Sequence, residues 1–313
     1  MQIFYGIDGY PKTTNSVVTT GTFDGVHLGH KKVLDTVVSE ALNKGGPGVV
    51  ITFLNHPRIV LNKDAVNLNF LNTLEEKISL IADCGIDRLL ILPFDKEFAK
   101  QSAEQYISKY IKGILCSDLM IIGYDHHIGK ERQANKSDIE NVAALYGIST
   151  IVVPPAFISG QAVSSTRIRN ALKKGDIKQA NSCLGYNYFF NGKVVNGNHI
   201  GEKLGFPTAN LLVEDKLKLI PGEGVYAVTV NLNSNIYKAM MNIGNRPTIN
   251  KNTESNTIIE VHIFDFNNYI YNDKIRVNVI EKIRNEIKFN GLDELKSRLE
   301  IDKSIALKIL SSL

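Results

Sequence analysis

Cysteine is scarce and scattered. Cys84, Cys116 and Cys183 form an odd set without Cys-x-x-Cys spacing, so neither a disulfide framework nor a zinc site is expected, and reduced thiols in a cytosol are. No apolar run approaches the roughly 20 residues needed to cross a bilayer. The opening Met1-Gln2-Ile3-Phe4-Tyr5-Gly6 has no charged n-region and no apolar h-region. A cytoplasmic protein without a membrane partner is therefore expected. Excess charge is also small, since 36 Lys and Arg against 32 Asp and Glu leave a formal net charge of +4. That argues against a basic nucleic-acid surface but suits a small polyphosphate ligand. Internal repeats and low-complexity linkers are absent, and no feature fixes an oligomeric partner. What is present is ordinary for a globular protein: 313 residues, 43% hydrophobic and 22% charged, enough chain for two domains.

The first half alternates strand and helix patterns. Val17–Thr20, Val49–Phe53, Leu89–Leu92, Leu119–Ile122 and Ile151–Val153 are apolar, β-branched-rich runs predicted as buried strands. Helical patterns separate them, one beginning near Gly29 and one over Leu74–Ala82. Two more start at predicted capping boxes, Ser102 with Gln105 and Ser137 with Glu140. Continuous apolar strands between helices predict a parallel sheet covered on both faces. Ligands of such sheets bind beyond the carboxyl ends of the strands. His27, His56 and Asp125 all follow predicted strands on that edge. So do five of the seven histidines, His27, His30, His56, His126 and His127.

The chemistry centres on Gly21-Thr-Phe-Asp-Gly-Val-His-Leu-Gly-His30. Gly21 and Gly25 allow a sharp turn between strand and helix, where free N–H groups and the helix dipole favour an anion. His27 and His30, three apart, reach the same side and suit hydrogen bonding to successive phosphates. A structural histidine pair or a metal site would also fit this spacing. A dinucleotide fold is disfavoured because Gly-x-Gly-x-x-Gly is missing. Ser164-Ser165-Thr166-Arg167-Ile168-Arg169 opens another helix that Gly175 ends. Its hydroxyls and Arg169 suit either a phosphate or an ordinary capped surface helix.

From Tyr188 the period becomes alternating. Val225–Val230, then Ile236–Ile243 after the turn Asn233-Ser234-Asn235, then Ile259–Phe266 paired with Ile275–Ile280, predict an antiparallel sheet or barrel. A final helix carries Leu292, Leu295, Leu299, Ala306 and Ile309 on one face. Gly201-Glu-Lys-Leu-Gly-Phe-Pro-Thr-Ala-Asn210 lies within this half. Thr208 and Asn210, two apart on an extended chain, face one way and could share a magnesium–phosphate ligand. A plain glycine turn entering a strand is the alternative.

Gly21–His30 resembles the His-x-Gly-His signature of nucleotidylyltransferases, in the form found in prokaryotic bifunctional riboflavin kinase/FMN adenylyltransferases (FAD synthetases). Ser164–Arg169 is similar to the second signature of that superfamily, and Gly201–Asn210 to the riboflavin kinase signature. Asn242–Thr248, Glu260-Val261-His262 and Arg284-Asn285-Glu286 also match the kinase domain. The resemblance implies an α/β, Rossmann-like adenylyltransferase domain over 1–185. An antiparallel β-barrel kinase domain with a C-terminal helix would follow over 186–313. It implies phosphorylation of riboflavin to FMN and adenylylation of FMN to FAD, each with ATP and Mg2+. Catalytic roles would fall to His27, His30, Arg169 and Glu260. ATP and phosphate would be held by Gly21, Phe23, Asp24, Gly25, Ser164, Ser165, Thr166, Gly201, Lys203 and Gly205. The flavin would meet His56, Asp125, His126, Arg284 and Glu286, and Thr208 and Asn210 would hold the metal. Departures are Asn55, His126, Ile128 and Ala134 in the first half, and Asn196 and Glu202 in the second. Asn55, His126 and Ile128 motivate one alternative, a kinase with a degenerate first domain; a non-catalytic flavin-binding regulator is another, against which the intact His27, His30, Arg169, Thr208, Asn210 and Glu260 argue.

Overall fold

A computed structural model describes residues 1–61, 69–130, 134–197, 201, 204–245 and 257–311. The chain separates into two compact units, Met1–Ser165 and Thr166–Leu313.

The first unit is built on a parallel sheet of β1 (Gln2–Tyr5), β2 (Val17–Thr20), β3 (Gly48–Phe53), β4 (Arg88–Leu92), β5 (Leu119–Gly123) and β6 (Ser149–Val153). Their spatial order is β1-β4-β3-β2-β5-β6. β2 to β5 are buried along almost their whole length, as their β-branched sequences require. β1 had no sequence signal, because it is a mostly exposed edge strand held by its ladder to β4. From β2 the chain moves first to one side, through β3 and β4, and later to the other, through β5 and β6. This reversal opens a crevice at the carboxyl end of β2, where ligands of open α/β sheets bind.

Helix α1 (Leu28–Lys44) begins in that crevice and ends on Gly45, whose φ of +64° lets it cap the last turn. The short α2 (Pro57–Val60) follows β3, and α3 (Leu74–Asp83) starts from a capping box of Thr73 and Glu76. The expected Ser102–Gln105 box starts α4 (Ala103–Tyr106), which runs on as a π-helix over Ile107–Ile114. The Ser137–Glu140 box is corrected. Asn135 caps α5 (Lys136–Leu145), accepting from the N–H groups of Ser137 and Asp138, while Asp138 closes the box. A two-residue hairpin, β7 (Phe157–Ile158) and β8 (Gln161–Ala162), completes the unit.

The second unit takes in α6 (Ser165–Lys174) from Thr166 onward and α7 (Ile177–Leu184), ended by Gly175 and Gly185 at φ of +76° and +71°. A closed barrel follows, of β9 (Phe189–Val195), β10 (Ala209–Leu212), β11 (Gly224–Leu232), β12 (Asn235–Asn245), β13 (Thr257–Ile263) and β14 (Lys274–Arg284). The order around it is β10-β13-β12-β11-β14-β9. Asn233 and Ser234, both at positive φ, turn β11 into β12 as the sequence indicates. The expected pairing of the last two strands does not form. Both edges of β13 are taken, by β12 and β10, and β14 instead pairs with β11 and β9.

The terminal helix α8 (Leu292–Leu310) lays Ala306 and Leu310 against Phe206, Ala227, Met240 and Phe264. Leu292 is exposed, while Asp302 is fully buried. Its carboxylate takes Nε and Nη2 of Arg284 at 2.9 and 2.7 Å and Nε of Arg298 at 3.1 Å. Removing Asp302 strands Arg284 without its counter-ion. Asp302→Ala is therefore expected to destabilise the second unit by about 3–5 kcal/mol. Urea unfolding checks this, and a loss below about 1 kcal/mol, typical of an exposed pair, would contradict it.

Candidate active sites

The loop after β2 is tightly constrained. Phe23, Gly25 and Val26 all have positive φ (+48°, +90° and +34°), a backbone that only Gly25 adopts without strain. Packing holds it there, since Phe23 and Val26 are buried. A β-carbon on Gly21 would press on the Phe23 ring at 3.1 Å. The Asp24 carboxylate accepts from the Leu71 N–H at 2.8 Å, and its carbonyl accepts from the Ser165 hydroxyl at 2.8 Å. Asp24 thus ties the loop to the entry of α3 and to the first residue of α6.

This loop delivers two histidines face to face. Their rings stack at 3.7 Å between centroids with 13° between planes, and the Phe23 ring meets His30 edge-on at 5.2 Å. His27 is the N-cap of α1, its Nδ1 accepting from the His30 N–H at 3.3 Å. With Nδ1 serving as acceptor, the ring proton sits on Nε2. Burial, then the neighbouring His27 and Lys77, hold the His30 pKa well below 6.5. His30 is therefore a neutral hydrogen-bond donor at pH 7, not a cation. Its Nδ1 is enclosed with no hydrogen-bond partner among the described residues.

A stability consequence follows from the sign of that shift. Between the lowered folded pKa and the unfolded value near 6.5, the unfolded chain binds a proton that the folded one refuses. Stability is full above that window and falls as pH drops into it. The first unit should melt lower at about pH 5.5 than at about pH 7.5, and His30→Gln should shrink the difference. An unchanged difference in the variant would assign the acid sensitivity elsewhere.

Of the other expected residues, His56 caps α2 and stacks on Phe70 at 4.4 Å. Phe53, Phe94 and Phe98 meet pairwise at 5.2 to 5.5 Å beside the exits of β3 and β4. Asp125 and Tyr124 are exposed beyond β5, His126 is half-buried, and Ile128 points into the core. Arg169 and Thr166 fall in the second unit, where the Arg169 guanidinium reaches the Thr166 hydroxyl at 3.4 Å.

In the barrel the strand register assembles a second site. Glu260 stands opposite Asn210 on one side and opposite Asn242 on the other. Directly opposed residues in antiparallel strands project to the same face, so the three form one row. That face also carries Met240 and His262 and is the one α8 covers. Asn242 extends the row by donating to the Glu286 carboxylate at 3.4 Å. Gly201 accepts from the N–H groups of Leu204 and Phe206, folding the glycine run into a turn, and a β-carbon on it would lie 3.4 Å from the Thr208 hydroxyl. Gly205 sits in that turn at φ of +84°. Arg284 is committed to Asp302. Lys203 lies outside the described residues, as do Glu202 and Arg246–Thr248.

Two family models match the chain, FAD synthetase over residues 10–167 and riboflavin kinase over 184–310. Curated relatives named bifunctional riboflavin kinase/FMN adenylyltransferase include one from Bacillus subtilis, 36% identical over 95% of this chain and 93% of its own length. Another, from Haemophilus influenzae, is 35% identical over the full length of both. The chain belongs to the bifunctional riboflavin kinase/FMN adenylyltransferase family. A Streptococcus pneumoniae crystal structure titled as a macrolide-efflux protein shares the architecture, with a TM-score of 0.89, 30% identity and coverage of 98% and 99% of the two chains. Among the described residues here, no helix is long and apolar enough to cross a membrane.

Some residues beside these two assemblies carry no motif signal of their own. Asn242 entered only as part of a run, yet it flanks Glu260 directly. Phe70 and Lys77 were not singled out at all. Their sequence surroundings are those of an ordinary capped helix, and contacts distant in the chain, among them the Leu71–Asp24 and Lys77–Thr52 bonds, bring that segment to the histidine loop.

Proposed function

We propose that the first unit transfers AMP from ATP to FMN at His27 and His30, and that the second phosphorylates riboflavin beside Glu260. The observation that carries this reading is the coexistence of two stacked imidazoles at a helix start with a carboxylate set between two carboxamides on the barrel.

The two reactions need different groups. The FMN phosphate, with a second pKa of about 6, is largely ionised at neutral pH and needs no general base. One of its oxygens attacks the α-phosphorus of ATP, the bond to the bridging oxygen breaks, and pyrophosphate leaves. His27 Nε2–H and neutral His30 donate to the phosphate oxygens as charge shifts, and Ser165, whose hydroxyl is held at the Asp24 carbonyl, lies where the leaving phosphates bind. Asp24 holds the loop in place, and the aromatic rings at the β3 and β4 exits and the His56–Phe70 stack receive the flavin.

Riboflavin presents a neutral alcohol, so a base is required. Glu260 accepts the hydroxyl proton as the oxygen bonds to the γ-phosphorus and ADP departs. The Asn210 carboxamide oxygen is a hard donor opposite Glu260, and the Thr208 hydroxyl lies two residues before it, a pair that fits Mg2+ shared with substrate phosphates. When bound, the metal would neutralise phosphate charge. A domain division near residue 185, a cytoplasmic location and small-molecule partners only belong to the same reading.

Incubating the protein with riboflavin, ATP and magnesium and resolving the flavins by chromatography tests it. FMN and FAD together support both sites. FMN alone would favour a kinase with an idle first unit, the reading suggested by aliphatic Ile128 buried in the core. Neither product would leave only flavin binding.

A further inference from the structure

We propose that Lys77 provides the positive charge that receives the phosphate of FMN in the adenylyl-transfer site. The inference rests on the adenylyl-transfer reading and adds a residue that neither nucleotidylyltransferase motif contains.

Lys77 lies in the second turn of α3 and is half-buried. Among the described residues its ammonium has a single hydrogen-bond partner, the Thr52 hydroxyl, at a long 3.4 Å. Asp24 is near enough to favour its charge, yet the two form no ion pair. Burial outweighs that help and pushes its pKa down to about 8, so the lysine remains mostly charged at neutral pH. Withdrawing a cation from water without an ion-pair partner is unfavourable. A fold retains such an arrangement when something absent from the protein itself completes it.

Two neighbouring groups share the deficit. Asn72, buried to 6% exposure, has neither carboxamide atom hydrogen-bonded among the described residues. It directly follows Leu71, whose N–H is held by Asp24. His30 Nδ1 is likewise enclosed, with no partner among the described residues, and Lys77 is near enough to lower the His30 pKa. Buried polar groups are rarely left unpaired. A cation, an amide and an imidazole left short around one loop fit a ligand rich in oxygen acceptors and negative charge.

Both substrates carry phosphate, but the position favours FMN. Thr52 sits near the end of β3, whose next residue, Phe53, joins the aromatic group, and whose exit leads to His56 and Phe70. Lys77 is thus on the β3 side of His30. The start of α6, bonded to the opposite end of Asp24 through Ser165, is the place assigned to ATP. An ammonium on the attacking phosphate offsets repulsion between two anions brought within bonding distance, and it acts in the bound ground state. Its loss should therefore appear mainly in KM for FMN.

The test varies FMN and ATP separately in steady-state adenylyl transfer by the full chain. Lys77→Gln removes the charge but keeps a donor for Thr52. It should raise KM for FMN by about tenfold or more, leave KM for ATP within about twofold, and leave riboflavin phosphorylation unchanged. Lys77→Arg, which restores a cation, should recover most of the FMN affinity. An unchanged KM for FMN in a folded Lys77→Gln protein would overturn the proposal, as would a rise confined to ATP. Should Lys77→Gln fail to fold, loss of FMN affinity in a folded Lys77→Arg protein would count against a charge-based role, and retention would support it. Failure of the unaltered protein to make FAD would overturn the adenylyl-transfer reading itself, an outcome distinct from the others.

Discussion

Glu260→Gln is expected to lower riboflavin phosphorylation by about 10²–10⁴-fold at saturating substrates. The substitution keeps the shape and hydrogen-bonding reach of the side chain and removes only the proton acceptor. Glu260 lies mid-row between Asn210 and Asn242, so an amide there can still meet its neighbours and the fold should hold. Substrate affinities should change little, because the carboxylate matters once the hydroxyl proton begins to move. FAD formation from supplied FMN should survive, since it belongs to the other unit. Turnover close to that of the unaltered protein would overturn the general-base role and point instead to a metal ion, were one held by Thr208 and Asn210, as what activates the alcohol.

His30→Ala is expected to reduce FAD formation by about a hundredfold or more while FMN formation continues nearly unchanged. One donor to the shifting charge disappears, and with it the ring against which His27 stacks. His27 needs a more careful substitution because it also caps α1. His27→Asn retains an acceptor for the His30 N–H but lacks the Nε2 donor, so it should lose FAD formation without the instability expected of His27→Ala. Flavin chromatography reads both activities in one sample, with kinase turnover as the control for folding. Equal loss of both activities in a folded His30→Ala protein would remove the histidines from the adenylyl site.

The sequence by itself determined the elements whose causes are local. β-branched runs marked β2 to β6, Gly175 and Gly185 marked the ends of α6 and α7, and Asn233-Ser234 marked the hairpin. In each case the steric or hydrogen-bonding reason lies within a few residues. The same locality made Gly21–His30 and Gly201–Asn210 legible as motifs. Where two local signals competed it misled, as at α5, where Asn135 rather than Ser137 satisfies the free N–H groups. Tertiary structure alone decided what depends on partners distant in the chain. β1 exists through its ladder to β4, and β14 joins β11 because the edges of β13 are already occupied. Barrel register places Glu260 between two asparagines, and burial beneath α8 couples Arg284 to Asp302. Lys77 comes to the histidine loop through contacts distant in the chain, among them the Leu71–Asp24 and Lys77–Thr52 bonds. Strand pairing and desolvation are properties of neighbours in space, and the order of residues along the chain does not name those neighbours.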